Sequence, residues 1–235
     1  WNWKANGSGS SNTTGSINST VSANADAGFS IVSYTGTGAN ATVGHGLSKA
    51  PDFLVTKTRS HTGDWMVYYG DNTDFLKLNE TNATEDLAAV WNDTSPTSSV
   101  FSLGSNGDVN TNGRTYIAYC FHSVDGYSKV GSYTGNGVAD GPFVYTGFRP
   151  AFVLTKVTNA ADDWSIADYA RSPHNVAGES LRPNSNSAED SAADIDILSN
   201  GFKVRQADSH RINYNNDTFI YIAFAETPFK YSNAR

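Results

Sequence analysis

The sequence predicts an all-β protein: two tandem β-sandwich units, jelly-roll or lectin-like, related by an internal repeat. Three observations predict it. Charged residues are only 17% of the 235, against about 25% in a typical soluble domain, and Gly, Ser, Thr and Asn fill the gap. That blend is poor in helix formers and rich in turn formers. The apolar runs are short and mostly alternate with period two. The third observation is self-similarity along the chain.

The first copy reads GFSIVSYTGTG from Gly28 and the second GYSKVGSYTGNG from Gly126. APDFLVTKT from Ala50 answers RPAFVLTKV from Arg149, and GDWMVYY from Gly63 answers DDWSIADY from Asp162. Tyr34 and Tyr133, Pro51 and Pro150, and Trp65 and Trp164 all keep one spacing. Two further blocks pair with slippage: SNGDV at Ser105 with SNGFKV at Ser199, and RTYIAYCF at Arg114 with FIYIAFAE at Phe219. The expected organisation is a terminal strand of a preceding unit plus a Gly/Ser/Asn linker over 1–24, one unit over 25–123, and a second over 124–235 with a C-terminal tail.

Within each unit the strand patterns are legible. Phe29, Ile31 and Ser33 alternate with Ser30, Val32 and Tyr34; Trp65, Val67 and Tyr69 share one face. Tyr116 to Phe121 is apolar on both faces, as in a covered central strand. Asn-Gly and Thr-Gly pairs between the runs supply positive φ for hairpins. Thr84 to Val90 is expected to make one helical turn capped by Thr84. Trp65 and Trp164 are expected in the core, because each opens an alternating strand.

The net charge of −7 disfavours nucleic acid, which needs clustered Lys and Arg. No apolar stretch reaches the ~20 residues a spanning helix requires, so no membrane insertion is expected. The lone cysteine, Cys120, reads as a buried inert thiol. None of the five histidines (His45, His61, His122, His174, His210) stands in a metal-ligand spacing, and no nucleophile elbow or P-loop is present. Acidic residues cluster at Asp71–Asp86, at Asp162, Asp163 and Asp168, and at Glu189, Asp190, Asp194 and Asp196; solvated loops are the expected setting. No catalytic residue, metal site or cofactor is expected. Ca2+, which takes about six to eight oxygens, finds no strict Asp-x-Asp-x-Asp-Gly loop.

Aromatics make up 12% of the chain. Several stand beside Gly, Asn or Pro, where an exposed ring next to Asn and Asp suits sugar stacking. Trp91, Tyr68, Tyr145 and Tyr214 are the candidate glycan-binding residues, with Phe148 and Tyr231 in similar settings. Sequons recur, from Asn6 to Asn216, and serve equally as turn residues.

SYTGTGANATVGHGL, APDFLVTKTR, YIAYCF, GSYTGNGVADGPFVYTGFRPAFVLTK and FAETPFKYSNAR resemble a repeated β module of marine bacteriophage virion proteins, tail-fibre-like or otherwise structural. The resemblance covers essentially the whole chain. It implies a non-enzymatic virion surface protein (a fibre, spike or head decoration) assembled in the bacterial host cytoplasm. The implied partners are other virion proteins, further copies of itself (trimers being common in viral fibres) and a host-surface glycan. The family offers no agreed functional residues. Two other readings stay open: a secreted carbohydrate-binding or adhesin module, and a polysaccharide-degrading tailspike.

Overall fold

Alternating apolar residues become strands along almost the whole chain. The computed structural model describes residues 2–191 and 193–226, and every ladder between its strands is antiparallel. The fold is all-β. Two one-turn helices are its only α-helices among the described residues. The chain divides into two compact units, Trp1–Leu78 with Glu85–Ser123 and Asn79–Thr84 with Val124–Arg235.

The first unit contains β1 (Ser10–Asn12), β2 (Ser19–Asn24), β3 (Phe29–Thr35), β4 (Ala41–Gly44), β5 (Phe53–Thr58), β6 (Met66–Tyr68), β7 (Asp74–Lys77) and β8 (Glu85–Asp86). Helix α1 (Ala88–Trp91), β9 (Val100–Leu103), α2 (Gly107–Asn110) and β10 (Thr115–Phe121) follow. One sheet runs β1-β2-β3-β10-β5-β6-β7-β8, and β4 pairs with β9 in a two-stranded ribbon. Val32 and Tyr34 of β3, Leu54 of β5 and Tyr116 and Ala118 of β10 share an apolar cluster with Val43 of β4 and Phe101 and Leu103 of β9.

The second unit contains β11 (Ser128–Thr134), β12 (Phe143–Tyr145), β13 (Pro150–Val157), β14 (Ser165–Asp168), β15 (Ser180–Leu181), β16 (Ile195–Leu198), β17 (Gly201–Val204) and β18 (Thr218–Ala225). Its sheets run β11-β18-β13-β14-β15 and β12-β17-β16. Phe202, Val204, Ile195, Tyr221 and Val153 lie at the centre of its core. The order β11-β18-β13-β14 matches the order β3-β10-β5-β6 of the first unit. Trp65 immediately precedes β6 and Trp164 immediately precedes β14. Trp164 is 1% exposed, as expected of a core residue. Trp65 is only half-buried and stacks on Tyr119 at 6.4 Å.

Several expectations need correction. The Gly/Ser/Asn stretch before Gly28 is not a free linker: Ser11 stands opposite Thr20 and Val21 opposite Val32, which extends the main sheet by two strands. The segment is polar because only one face of it meets the core, anchored by Val21. Trp3 packs edge-on against Phe121 of this same unit; Trp1 and the tail beyond Glu226 lie outside the described residues. The one-turn helix begins later than expected. Thr84 donates its backbone N–H to Thr158, Glu85–Asp86 extends as β8, and Leu87 caps α1 without a side-chain bond.

The two SNG blocks occupy different places. Asn106 caps α2 by accepting from the Asp108 backbone N–H at 2.8 Å, whereas Asn200 lies in the turn joining β16 to β17. Ser-Asn-Gly suits both caps and turns, so the match carries no register. The YIA blocks also slip. Tyr34 faces Tyr116 while Tyr133 faces Phe219, two residues before Tyr221. A shift of two keeps every side chain on its face, so the apolar pattern could not detect it.

Candidate functional site

A turn built twice positions the candidate site. In the first unit the Tyr34 ring stacks on Tyr116 at 5.2 Å, and its hydroxyl donates to Val109 O at 2.8 Å. In the second, Tyr133 stacks on Phe219 at 5.1 Å and donates to Ile212 O at 2.8 Å. The next residue in each unit is a fully buried amide. Asn110 accepts from the Thr37 N–H and donates to Ala39 O and Gly104 O. Asn213 accepts from the Asn136 N–H and donates to Val138 O and Gln206 O. Each thus satisfies backbone groups of two loops at once.

Glycines permit the approach. A Cβ on Gly36 would collide with Thr111 O, and one on Gly135 with Tyr214 O. Gly38 and Gly137 have φ of +76° and +72° and donate to Asn110 O and Asn213 O. Thr111 and Tyr214 therefore hold matching places, and so do Ser60 and Asn159, which accept from the Thr115 and Thr218 N–H groups.

On this shared frame the outward side chains differ. The second unit carries Tyr214, 40% exposed, with the His210 ring stacked on it at 3.7 Å. Asp217 Oδ2 lies 2.8 Å from His210 Nδ1, and Asn159 Nδ2 donates to Asp217 Oδ1 at 3.1 Å. Asp217 fixes the imidazole through Nδ1 and leaves Nε2 without a partner among the described residues. The Tyr214 face and the imidazole Nε2 are the open groups of this turn; the buried Asp217 carboxylate and the Asn159 amide are spent on holding the imidazole in place.

The four aromatics expected to meet glycan separate into two pairs. Tyr145 is 64% exposed on β12, and Phe143 projects from the same face of that strand. Tyr214 is exposed in the turn just described. Tyr68 and Trp91 are 5% and 2% exposed and meet edge-to-face at 6.0 Å inside the first unit. A ring enclosed by protein offers no face to a sugar, so these two are core residues; Phe148, 1% exposed, is another. Tyr231 lies outside the described residues. Sequence reading missed His210 and Asp217, which stand seven positions apart and meet only because the turn folds back.

Several of the carboxylates expected in solvated loops are tied to arginines in the second unit. Arg211 grips Asp190 through two nitrogens at 2.7 and 3.0 Å, and Arg182 also contacts Asp190. Arg171 bridges Asp168 and Glu189 at 2.7 and 3.0 Å. Among the described residues no three His, Cys, Asp or Glu side chains gather to hold a metal ion. Cys120 is fully buried, and burial pushes its thiol up to about 12.

The family model for DUF7483, a domain of unknown function, matches residues 1–228. The chain belongs to the DUF7483 family. No curated protein and no solved structure matches it. In this DUF7483 chain, therefore, the arrangement of side chains carries the functional argument.

Proposed function

We propose that the chain is a non-enzymatic adhesive module of two β-sandwich units related by an internal repeat. It is displayed on the surface of a bacteriophage particle as fibre, spike or head decoration. It contacts host-surface glycan through the turn of the second unit that bears Tyr214 and His210. One observation carries the reading: the buried Tyr–Asn–Gly frame recurs in both units, yet an exposed aromatic–imidazole pair stands on only one of them. Duplicated scaffolds free one copy's loops to take a ligand, because the framework beneath holds them. Repeated units on a particle raise avidity for weak surface sugars, which suits a shallow aromatic platform better than a deep cleft. The resemblance of SYTGTGANATVGHGL and its companions to virion proteins supplies the particle setting.

The test has two arms. Antibody to this chain, visualised with gold, should decorate phage particles at fibres or head. The purified protein should retain host envelope polysaccharide without releasing reducing ends. Labelling confined to cell-secreted material, or a steady release of reducing sugar, contradicts the proposal.

A further inference from the structure

The first unit carries a groove of about 300 Å3 whose lining contains no carboxylate, although the chain bears net charge −7. Arg59 stands at it, together with Ser11, Thr20, Ser33, Thr35 and Thr115. Strand register organises these hydroxyls. Ser11 lies opposite Thr20 and Thr20 opposite Ser33, one row across β1, β2 and β3. Thr35 lies opposite Thr115, a second row across β3 and β10. Neighbouring strands are about 4.8 Å apart, so the rows present donors and acceptors at regular steps. The Arg59 backbone N–H donates to Thr115 O at 2.8 Å, which ties the arginine to the end of the second row. None of these six side chains has a hydrogen-bond or ion-pair partner among the described residues.

We infer that this groove binds an acidic saccharide: the Arg59 guanidinium pairs with a carboxylate or sulfate oxygen while the hydroxyl rows bond the ring hydroxyls. Arginine presents a planar fork that matches such anions, and charge-assisted hydrogen bonds are the stronger kind. A neutral sugar would leave the guanidinium unused, and a nucleic acid would need several clustered cations where this groove has one. The inference rests on the adhesive reading only in taking saccharides as what the protein meets. The residues are separate from the Tyr214 turn.

The experiment titrates the full chain against three oligosaccharides of one backbone: neutral, carboxylated and sulfated, with inorganic sulfate as competitor. The wild type should bind at least one acidic form, more weakly as salt rises. Arg59→Gln should lower that affinity about tenfold or more, and Arg59→Lys should recover part of it. Thr20→Val with Thr35→Val, which keeps strand propensity, should weaken it several-fold. Melting temperatures should stay near that of the wild type, because all three side chains lack partners. Tyr214→Ala should not change acidic binding. No acidic binding by the wild type, or Arg59→Gln binding as the wild type does, overturns the inference. If only the neutral sugar binds and Tyr214→Ala abolishes that, the groove is not a site and the adhesive reading stands. If acidic binding follows Arg59 while Tyr214→Ala leaves binding of the neutral sugar unchanged, the groove stands and the role of the Tyr214 turn falls.

Discussion

Tyr34 and Tyr133 do the same work in the two units: each stacks on the facing residue of the neighbouring strand, and each donates its hydroxyl, at 2.8 Å, to a carbonyl of the turn before that strand. The hydroxyl fixes where the turn sits. The following residue, Asn110 or Asn213, then joins that turn to the loop after β3 or β11.

Removing either amide should be costly. Asn110→Ala removes the acceptor of the Thr37 N–H and a donor to the Ala39 and Gly104 carbonyls; the Gly104 bond is buried, and a buried group left unsatisfied costs about 1–3 kcal/mol. A loss of about 2–4 kcal/mol in urea unfolding is expected for Asn110→Ala, and a similar loss for Asn213→Ala. A loss below about 0.5 kcal/mol in both would mean that the frame does not hold the turns.

Trp91 and Tyr214 should behave oppositely. Trp91→Ala empties a site 2% exposed and should cost about 3–5 kcal/mol. Trp91→Phe should cost much less, because the buried indole Nε1 has no hydrogen-bond partner among the described residues. Tyr214→Ala should change stability by no more than about 0.5 kcal/mol. Chemical denaturation of the three variants checks the assignment of one ring to the core and the other to the surface.

Lys156 gives a pH signature. It is fully buried on β13, donates from Nζ to Thr81 O at 3.2 Å, and has its pKa lowered by burial from 10.5 to about 8, against the opposing pull of Asp162 and Asp163. Between those two values the unfolded chain holds a proton that the folded chain has shed, so the contribution of this group to stability rises with pH from about 8 to about 10.5. Lys156→Met should remove that rise and stabilise the protein at pH 7 by about 1–3 kcal/mol. Urea midpoints of wild type and variant at pH 7 and pH 10 decide it: a gap that does not narrow at the higher pH contradicts the burial argument.

Gly135 tests the link between frame and site. Gly135→Ala drives a Cβ into Tyr214 O; overpacking of this kind typically costs about 1–3 kcal/mol. It should also displace the Tyr214–His210 pair, visible as shifts of the His210 imidazole resonances. Unchanged His210 resonances would show that the turn does not depend on the glycine.

The central strands were legible in the sequence because burial on both faces leaves continuous apolar runs, as in β13 and β18. The edge was not. β1 and β2 are mostly Ser, Thr and Asn, the composition of a linker, and only Val21 and its ladder partners reveal a strand. Tyr68 and Trp91 looked exposed because each lies near a Gly or Asn, yet a neighbour along the chain does not fix what covers a ring. Tyr145 and Tyr214 had similar neighbours and are exposed. The pairing of His210 with Asp217 depends on the turn before β18, whose frame is set by hydrogen bonds to Asn213, and no spacing rule encodes it. Lys156 reads as an ordinary strand lysine until Thr81 is placed against it.

The most direct test of the adhesive reading is a titration of the full chain onto envelope fragments of a host bacterium, wild type beside Tyr214→Ala and His210→Ala. Saturable binding by the wild type, weakened about tenfold or more in both variants at unchanged melting temperature, is the predicted result. Equal binding by all three proteins, or none by the wild type, would contradict it.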